Sequence, residues 1–203
     1  MKNKGLLIVF SGPSGAGKDT ILKRLLEKNP NIHLSVSATT RAPREGEIDG
    51  KDYYFITREK FQEMAENGEM LESAAYCGNF YGTPKAPIEQ WISEGSDVVL
   101  EIEVQGGEQI KKTCPDCVGI FILPPSLGVL ENRLKNRHTD SQEVIAKRLT
   151  VARSEILQAV HYDYAVINDT VEQAAEKINH ILIAEKHKIQ RDNTLIERIL
   201  NHA

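Results

Sequence analysis

At 203 residues the chain has room for one compact core with smaller lobes attached, but not for two full-sized independent domains. Its residues are 40% apolar and 27% charged, a balance that excludes a disordered or membrane-embedded chain and predicts autonomous folding. The formal net charge of −4 excludes a general nucleic-acid or anionic-membrane surface, so any bound anion must be captured by a local cluster of cations.

The first apolar run covers residues 6–10, far short of the roughly 20 a membrane helix needs, and the residues ahead of it lack the pattern of a signal peptide. A cytoplasmic protein with no membrane partner is the expectation. A glycine-rich turn follows this run, and residues 20–27 then take up helical period. The stretch 35–83 has a different rhythm, with short β-like pieces such as residues 53–56, a glycine turn at 46–50 and one helix at 59–67. It reads as an inserted, small β-rich lobe.

Beyond the lobe, helical period at residues 84–92 leads to apolar runs at 98–102 and 118–123. Residues 126–153 form a polar, arginine-bearing stretch with helices at 127–134 and 143–157, and Asp140 with Glu143 predicts the cap of the second. A last apolar run at 165–167 and a helix at 171–184 complete the pattern. The four apolar runs lack the alternation of a strand with one wet face, which predicts buried parallel strands in a sheet covered by helices on both sides. The fold class is therefore α/β: a core of residues 1–34, 84–125 and 154–203, the lobe 35–83, and a helical lid at 126–153. In the tail, Leu195, Ile196, Ile199 and Leu200 recur at helical spacing, and packing on the body or on a sister subunit is expected of them. Cys114-Pro-Asp-Cys117 lacks the second ligand pair of a zinc site and reads as two reduced thiols, and Cys77 has no assigned role.

The turn after the first run is Ser11-Gly12-Pro13-Ser14-Gly15-Ala16-Gly17-Lys18-Asp19-Thr20. Strand, glycine turn and helix give a nest of inward N–H groups, the helix N-terminus adds partial positive charge, and Lys18 reaches the terminal phosphates. Residues 12–20 thus predict a nucleoside triphosphate cradle of the P-loop NTPase type. The position after Lys18 ordinarily carries Ser or Thr for Mg2+, and here it is Asp19. Three arrangements are open: Asp19 on the water shell of the metal, Thr20 in its place, or both capping the helix while phosphates and water hold the ion. The first is preferred.

Ser37-Ala38-Thr39-Thr40-Arg41-Ala42-Pro43-Arg44-Glu45-Gly46-Glu47, Gly50-Lys51-Asp52-Tyr53-Tyr54-Phe55 and Gly78-Asn79-Phe80-Tyr81-Gly82-Thr83 resemble the guanylate kinase family. The similarity continues through residues 100–106 (Leu-Glu-Ile-Glu-Val-Gln-Gly), 133–137 (Arg-Leu-Lys-Asn-Arg) and 166–169 (Val-Ile-Asn-Asp), so it spans nearly the whole chain in order. It implies an ATP-dependent kinase with a GMP-binding lobe and a closing lid. By the same resemblance Ser37, Arg41, Arg44, Tyr53 and Tyr81 grip the GMP phosphate, Glu72 and Thr83 read the guanine, and Glu103 faces the nucleotides. Guanidinium forks and hydroxyl donors suit a phosphate dianion, and a carboxylate accepts from two adjacent donors on guanine where adenine presents a lone pair. Three positions depart from the pattern: Glu103 stands for Asp, His138 for Gly, and Phe80 for an aromatic hydroxyl.

Glu101 and Glu103 are two apart, so on an extended strand both face the nucleotide cleft. A phosphate oxygen is already an anion and needs no general base, which leaves positioning and charge neutralisation to cations. Lys18 with Mg2+ is assigned to the ATP phosphates, and Arg133, Arg137 and Arg148 to the transferring group, with Arg41 on the acceptor. Arg133 and Arg137, four apart, share a helical face. Two other readings are distinguishable: a ribose bisphosphate kinase has no use for Glu72 and Thr83, and a peptide-binding scaffold has no use for Gly12, Gly17, Lys18 and the lid arginines.

Overall fold

The structure is a computed structural model and describes residues 4–76, 78–136, 141–192 and 195–201. In chain order the elements are β1 (Leu7–Ser11), α1 (Lys18–Lys28), β2 (Ile32–Leu34), β3 (Ala38–Thr39), β4 (Tyr54–Phe55), α2 (Arg58–Glu66), β5 (Met70–Tyr76), β6 (Asn79–Pro84) and α3 (Lys85–Ser93). They continue with β7 (Asp97–Glu101), α4 (Val104–Thr113), β8 (Val118–Leu123), α5 (Leu127–Lys135), α6 (Gln142–Leu157), β9 (Tyr164–Ile167), α7 (Val171–Lys186) and α8 (Leu195–Asn201).

Five parallel strands in the order β2-β7-β1-β8-β9 form the main sheet. Side chains alternate across it: Ile8 and Phe10 of β1 pack with Ile21, Leu25, Ala175 and Ile178 of α1 and α7, and Val9 packs on the other face with Ile88 and Ile110 of α3 and α4. Phe10, Ile21 and Ile110 are fully buried, and burial of a side chain this size stabilises by roughly 2 kcal/mol. This is the helix-covered parallel sheet that the apolar runs predict.

Full strand burial fails at β9. Ala165 and Ile167 are exposed while Val166 is buried, because β9 is the edge of the sheet and only the face toward α7 is covered. Two elements of the core carry no clear sequence signal. Strand β2 is three residues long with His33 at its centre, stacked on Trp91 at 4.6 Å. Helix α4 is masked by Gly106 and Gly107, yet a Cβ at Gly107 would stand 2.4 Å from the Tyr162 hydroxyl, so close packing rather than turn formation explains that glycine.

The second sheet, β4-β3-β6-β5, is mixed: β3 runs parallel to β4 and antiparallel to β6, and β5 and β6 are an antiparallel hairpin. Phe80 stacks on Phe61 of α2 at 5.4 Å, so the residue that departs from the family pattern is held by ring packing where a hydroxyl is missing. Helices α5 and α6 share their own small core of Leu130, Leu134, Ile145 and Ala152. The cap of α6 is Ser141, whose hydroxyl accepts from the Val144 N–H at 3.4 Å; this replaces the expected Asp140–Glu143 arrangement, and Asp140 lies outside the described residues. Leu195, Ile196, Ile199 and Leu200 of α8 are exposed, so packing on the body of this chain is not what organises the tail.

Candidate active site

The cradle forms where β1 hands over to α1. Gly17 sits in the left-handed region at φ 90° and starts the helix, and a Cβ there would meet the Asn168 amide at 2.4 Å. Two groups brace the turn from outside. Asn168 Nδ2 donates to the Ala16 carbonyl at 2.7 Å, and Arg133 donates from Nη1 to that same carbonyl at 3.3 Å and from Nη2 to the Asn168 carbonyl at 3.0 Å. The Pro13 carbonyl accepts from the Ala16 N–H at 3.0 Å, and Lys18 Nζ donates to the Gly12 carbonyl at 2.8 Å, arching over the turn.

Ser14, Gly15, Gly17, Lys18, Asp19 and Thr20 line a cavity of about 210 Å³ together with Glu103 and Glu155. Strand β7 ends at Glu101, and Glu103 is the residue from which α4 starts, at φ −63° and ψ 159°. The two carboxylates therefore do not share a strand face as expected, although Glu103 does reach the cradle. Burial first, and then the neighbouring Asp19 carboxylate, push Glu101 up to about 7. Glu155, which lies in the last turn of α6, is a site residue that sequence reasoning missed. Its one signal is its place seven residues after Arg148, which puts both on one helical face. Burial raises its pKa, Glu103 adds to that, and Lys18 and the Ser14 N–H oppose it.

The lobe brings together Arg41, Tyr53 and Tyr81. The Arg41 guanidinium lies 5.4 Å from the centre of the Tyr53 ring, which meets Tyr81 edge-on at 6.1 Å. Glu47 forks Arg41 with contacts of 2.9 Å and 2.8 Å, and also accepts from the Arg44 N–H at 2.7 Å. Arg44 is exposed, and the Ser37 carbonyl accepts from the N–H of Tyr54, the residue after Tyr53, at 2.9 Å. Burial raises the Tyr53 pKa, with Tyr81 next and the Glu101 carboxylate of the main sheet among the further contributors.

Glu72 is 8% exposed and accepts from the fully buried Thr83 hydroxyl at 2.7 Å. Burial raises its pKa, and the Thr83 hydrogen bond opposes the rise. Arg148 is half-buried on α6, whereas Arg137 and His138 lie outside the described residues, as does Cys77. Cys117 is buried, its thiol pushed up to about 11 by that burial, and Cys114 is half-exposed. No group of three or more His, Cys, Asp or Glu side chains suited to a metal ion occurs among the described residues, and none of their helices is long and apolar enough to cross a membrane.

Comparison with known proteins shows the family. The guanylate kinase family model matches residues 4–185. The chain is 53% identical over 201 residues to the guanylate kinase of Lactococcus lactis subsp. lactis, covering 99% of this chain and 97% of that protein. It is 54% identical over 196 residues to that of Clostridioides difficile, covering 96% of each. Among solved structures, guanylate kinase from Anaplasma phagocytophilum superposes with a TM-score of 0.78 at 39% identity, covering 98% of this chain and 95% of the other. A cradle braced from outside, an arginine and tyrosine cluster around the second sheet and a buried Glu72–Thr83 pair accompany a family match over most of the sequence, and that match places this chain in the guanylate kinase family.

Proposed function

We propose that the chain transfers the γ-phosphoryl group of ATP to GMP or dGMP, giving ADP and GDP, in cytoplasmic purine nucleotide metabolism and GMP recycling. The observation that carries this is the presence in one molecule of a lysine-bearing cradle and a separate arginine and tyrosine cluster, with the buried Glu72–Thr83 pair on the same lobe. Family membership supports the same reading.

In this reading Gly12 to Thr20 seat the ATP phosphates and Lys18 leaves the Gly12 carbonyl to neutralise them. Ser37, Arg41, Arg44, Tyr53 and Tyr81 hold the acceptor phosphate, and Glu72 with Thr83 selects guanine. The acceptor oxygen is anionic, so no residue has to remove a proton, and catalysis consists of alignment and charge neutralisation. Arg148 and Arg137 supply charge to the transferring group. Arg133, whose guanidinium is spent on the Ala16 and Asn168 carbonyls, we assign to shaping the cradle.

The donor set fits Mg2+ brought in with ATP. Asp19 lines the cavity with the Glu101 carboxylate as its neighbour, both are hard oxygen donors, and an ion that keeps several waters needs only one or two such groups beside the phosphates. When bound, Mg2+ neutralises phosphate charge. Asp19 acts on its water shell, and Glu103 lines the same cavity.

The test is a coupled assay with ATP and Mg2+ that offers GMP, dGMP, AMP, UMP and a ribose bisphosphate in turn. ADP formation is expected with GMP and dGMP. Turnover with the ribose bisphosphate alone, or no ATP consumption with any acceptor, would overturn the proposal.

A further inference from the structure

Glu72 stands at a weak point of its own sheet. Strand β5 is an edge strand, and its register with β6 shifts between Met70 and Ser73, so Glu72 itself lies in the irregular stretch and the regular ladder resumes only at the Ser73–Gly82 pair. Something else has to set where this carboxylate stands. Thr83 reaches the side chain, but among the described residues no strand pairs with the outer edge of β5.

Helix α4 of the core takes that place. Gln109 Nε2 donates to the Ser73 carbonyl at 3.2 Å, and the Ser73 N–H donates to Gln109 Oε1 at 3.3 Å. The side-chain amide thus exchanges two hydrogen bonds with the N–H and C=O of one residue, as a neighbouring antiparallel strand does in a ladder. One turn earlier on the same helix face, Gly106 lies so close to Glu72 that a Cβ there would stand 3.1 Å from Oε2. The next residue, Ile110, is fully buried in the core beneath the main sheet, so Gln109 is mounted on a rigid support.

We infer that Gln109 is a positioning residue for base selection: it splints the Ser73 peptide to the core and thereby holds the Glu72 carboxylate where two guanine donors reach it. The inference rests on the proposed reading of Glu72 as the guanine acceptor. Gln109 itself is exposed and touches no nucleotide in this scheme. Its role is to let α4, which begins at Glu103 beside the cradle, determine where the base is read.

The test uses the full chain with Gln109→Met, which keeps side-chain length without the amide, and Gln109→Glu, which keeps size but cannot donate to the Ser73 carbonyl at pH 8. Steady-state constants are measured with ATP against GMP and against IMP, which lacks the 2-amino donor. Both variants should raise the GMP KM about threefold to tenfold, leave the ATP KM within about twofold, and lower the GMP over IMP preference. The effect should vanish when Gln109→Met is added to Glu72→Gln, because the group being positioned is then gone. Thermal unfolding midpoints identify any variant whose loss is one of folding, and the other variant then decides. Wild-type preference in a folded Gln109 variant, while Glu72→Gln loses it, overturns the role of Gln109 and leaves the reading of Glu72 standing. Unchanged GMP over IMP preference in Glu72→Gln itself overturns the reading of Glu72, and the inference with it.

Discussion

Arg41 and Glu47 face each other as fork and carboxylate, Nη1 to Oε2 at 2.9 Å and Nη2 to Oε1 at 2.8 Å. Arg41 lowers the pKa of Glu47, and Glu47 raises that of Arg41, through this contact. The guanidinium carries five N–H donors, so the fork leaves others available to a phosphate while fixing the plane in which they point. Glu47→Ala should therefore raise the GMP KM about tenfold with the ATP KM unchanged. A GMP KM that falls instead would show Glu47 to be a competitor of the phosphate rather than the residue that aims Arg41.

Arg133 makes the opposite case, since its guanidinium is engaged with main-chain carbonyls of the cradle and of the residue after β9. Arg133→Ala should raise the ATP KM about tenfold and leave the GMP KM within about twofold, and Arg133→Lys should not restore it because one ammonium cannot span both carbonyls. Loss of kcat at an unchanged ATP KM would return Arg133 to the transferring phosphoryl group.

The buried Glu72 carboxyl holds its proton above the usual carboxylate range, and guanine donors need the ionised form. The GMP KM should thus fall as pH rises from about 4.5, the ordinary value, through the raised one, and Glu72→Gln should remove that slope. Stability takes the opposite sign. Below the ordinary value folded and unfolded chains are both protonated at this position; above it the unfolded chain loses its proton first, so stability contributed here declines until the folded carboxyl ionises and then levels. Urea unfolding of wild type and Glu72→Gln across that window checks this, and parallel profiles would sink the assignment.

Asp19 occupies the position where the cradle pattern has a hydroxyl, next to the raised Glu101 carboxyl. Asp19→Ala should increase the Mg2+ concentration needed for half-maximal activity by several-fold, roughly the weight of one outer-sphere carboxylate. A titration with unchanged Mg2+ dependence counts against Asp19 and in favour of Thr20 or of metal held by phosphates and water alone.

The glycine turn and Lys18 were legible because local geometry specifies them, a strand, a nest and a helix following each other without a gap, whereas Arg41, Tyr53, Glu72, Tyr81 and Thr83 were legible only through the resemblance to the guanylate kinase family. The parallel sheet was legible for β1, β7 and β8, whose runs are buried on both faces, and only in outline for β9, whose edge position is a property of the sheet rather than of the segment. Helix α4 was missed because Gly106 and Gly107 look like a turn until Glu72 and Tyr162 are seen against them.

By itself the sequence determined the α/β class and the cradle, since these follow from periodicity and from a motif contiguous along the chain, and its family resemblance named the polar residues of the proposed acceptor pocket. Only the tertiary structure decided that Arg133 braces Ala16, that Glu155 joins the cavity and that Gln109 splints Ser73. Each of these is a contact between segments far apart in the chain, set by how helices pack on a finished sheet, and no local pattern encodes such a distance.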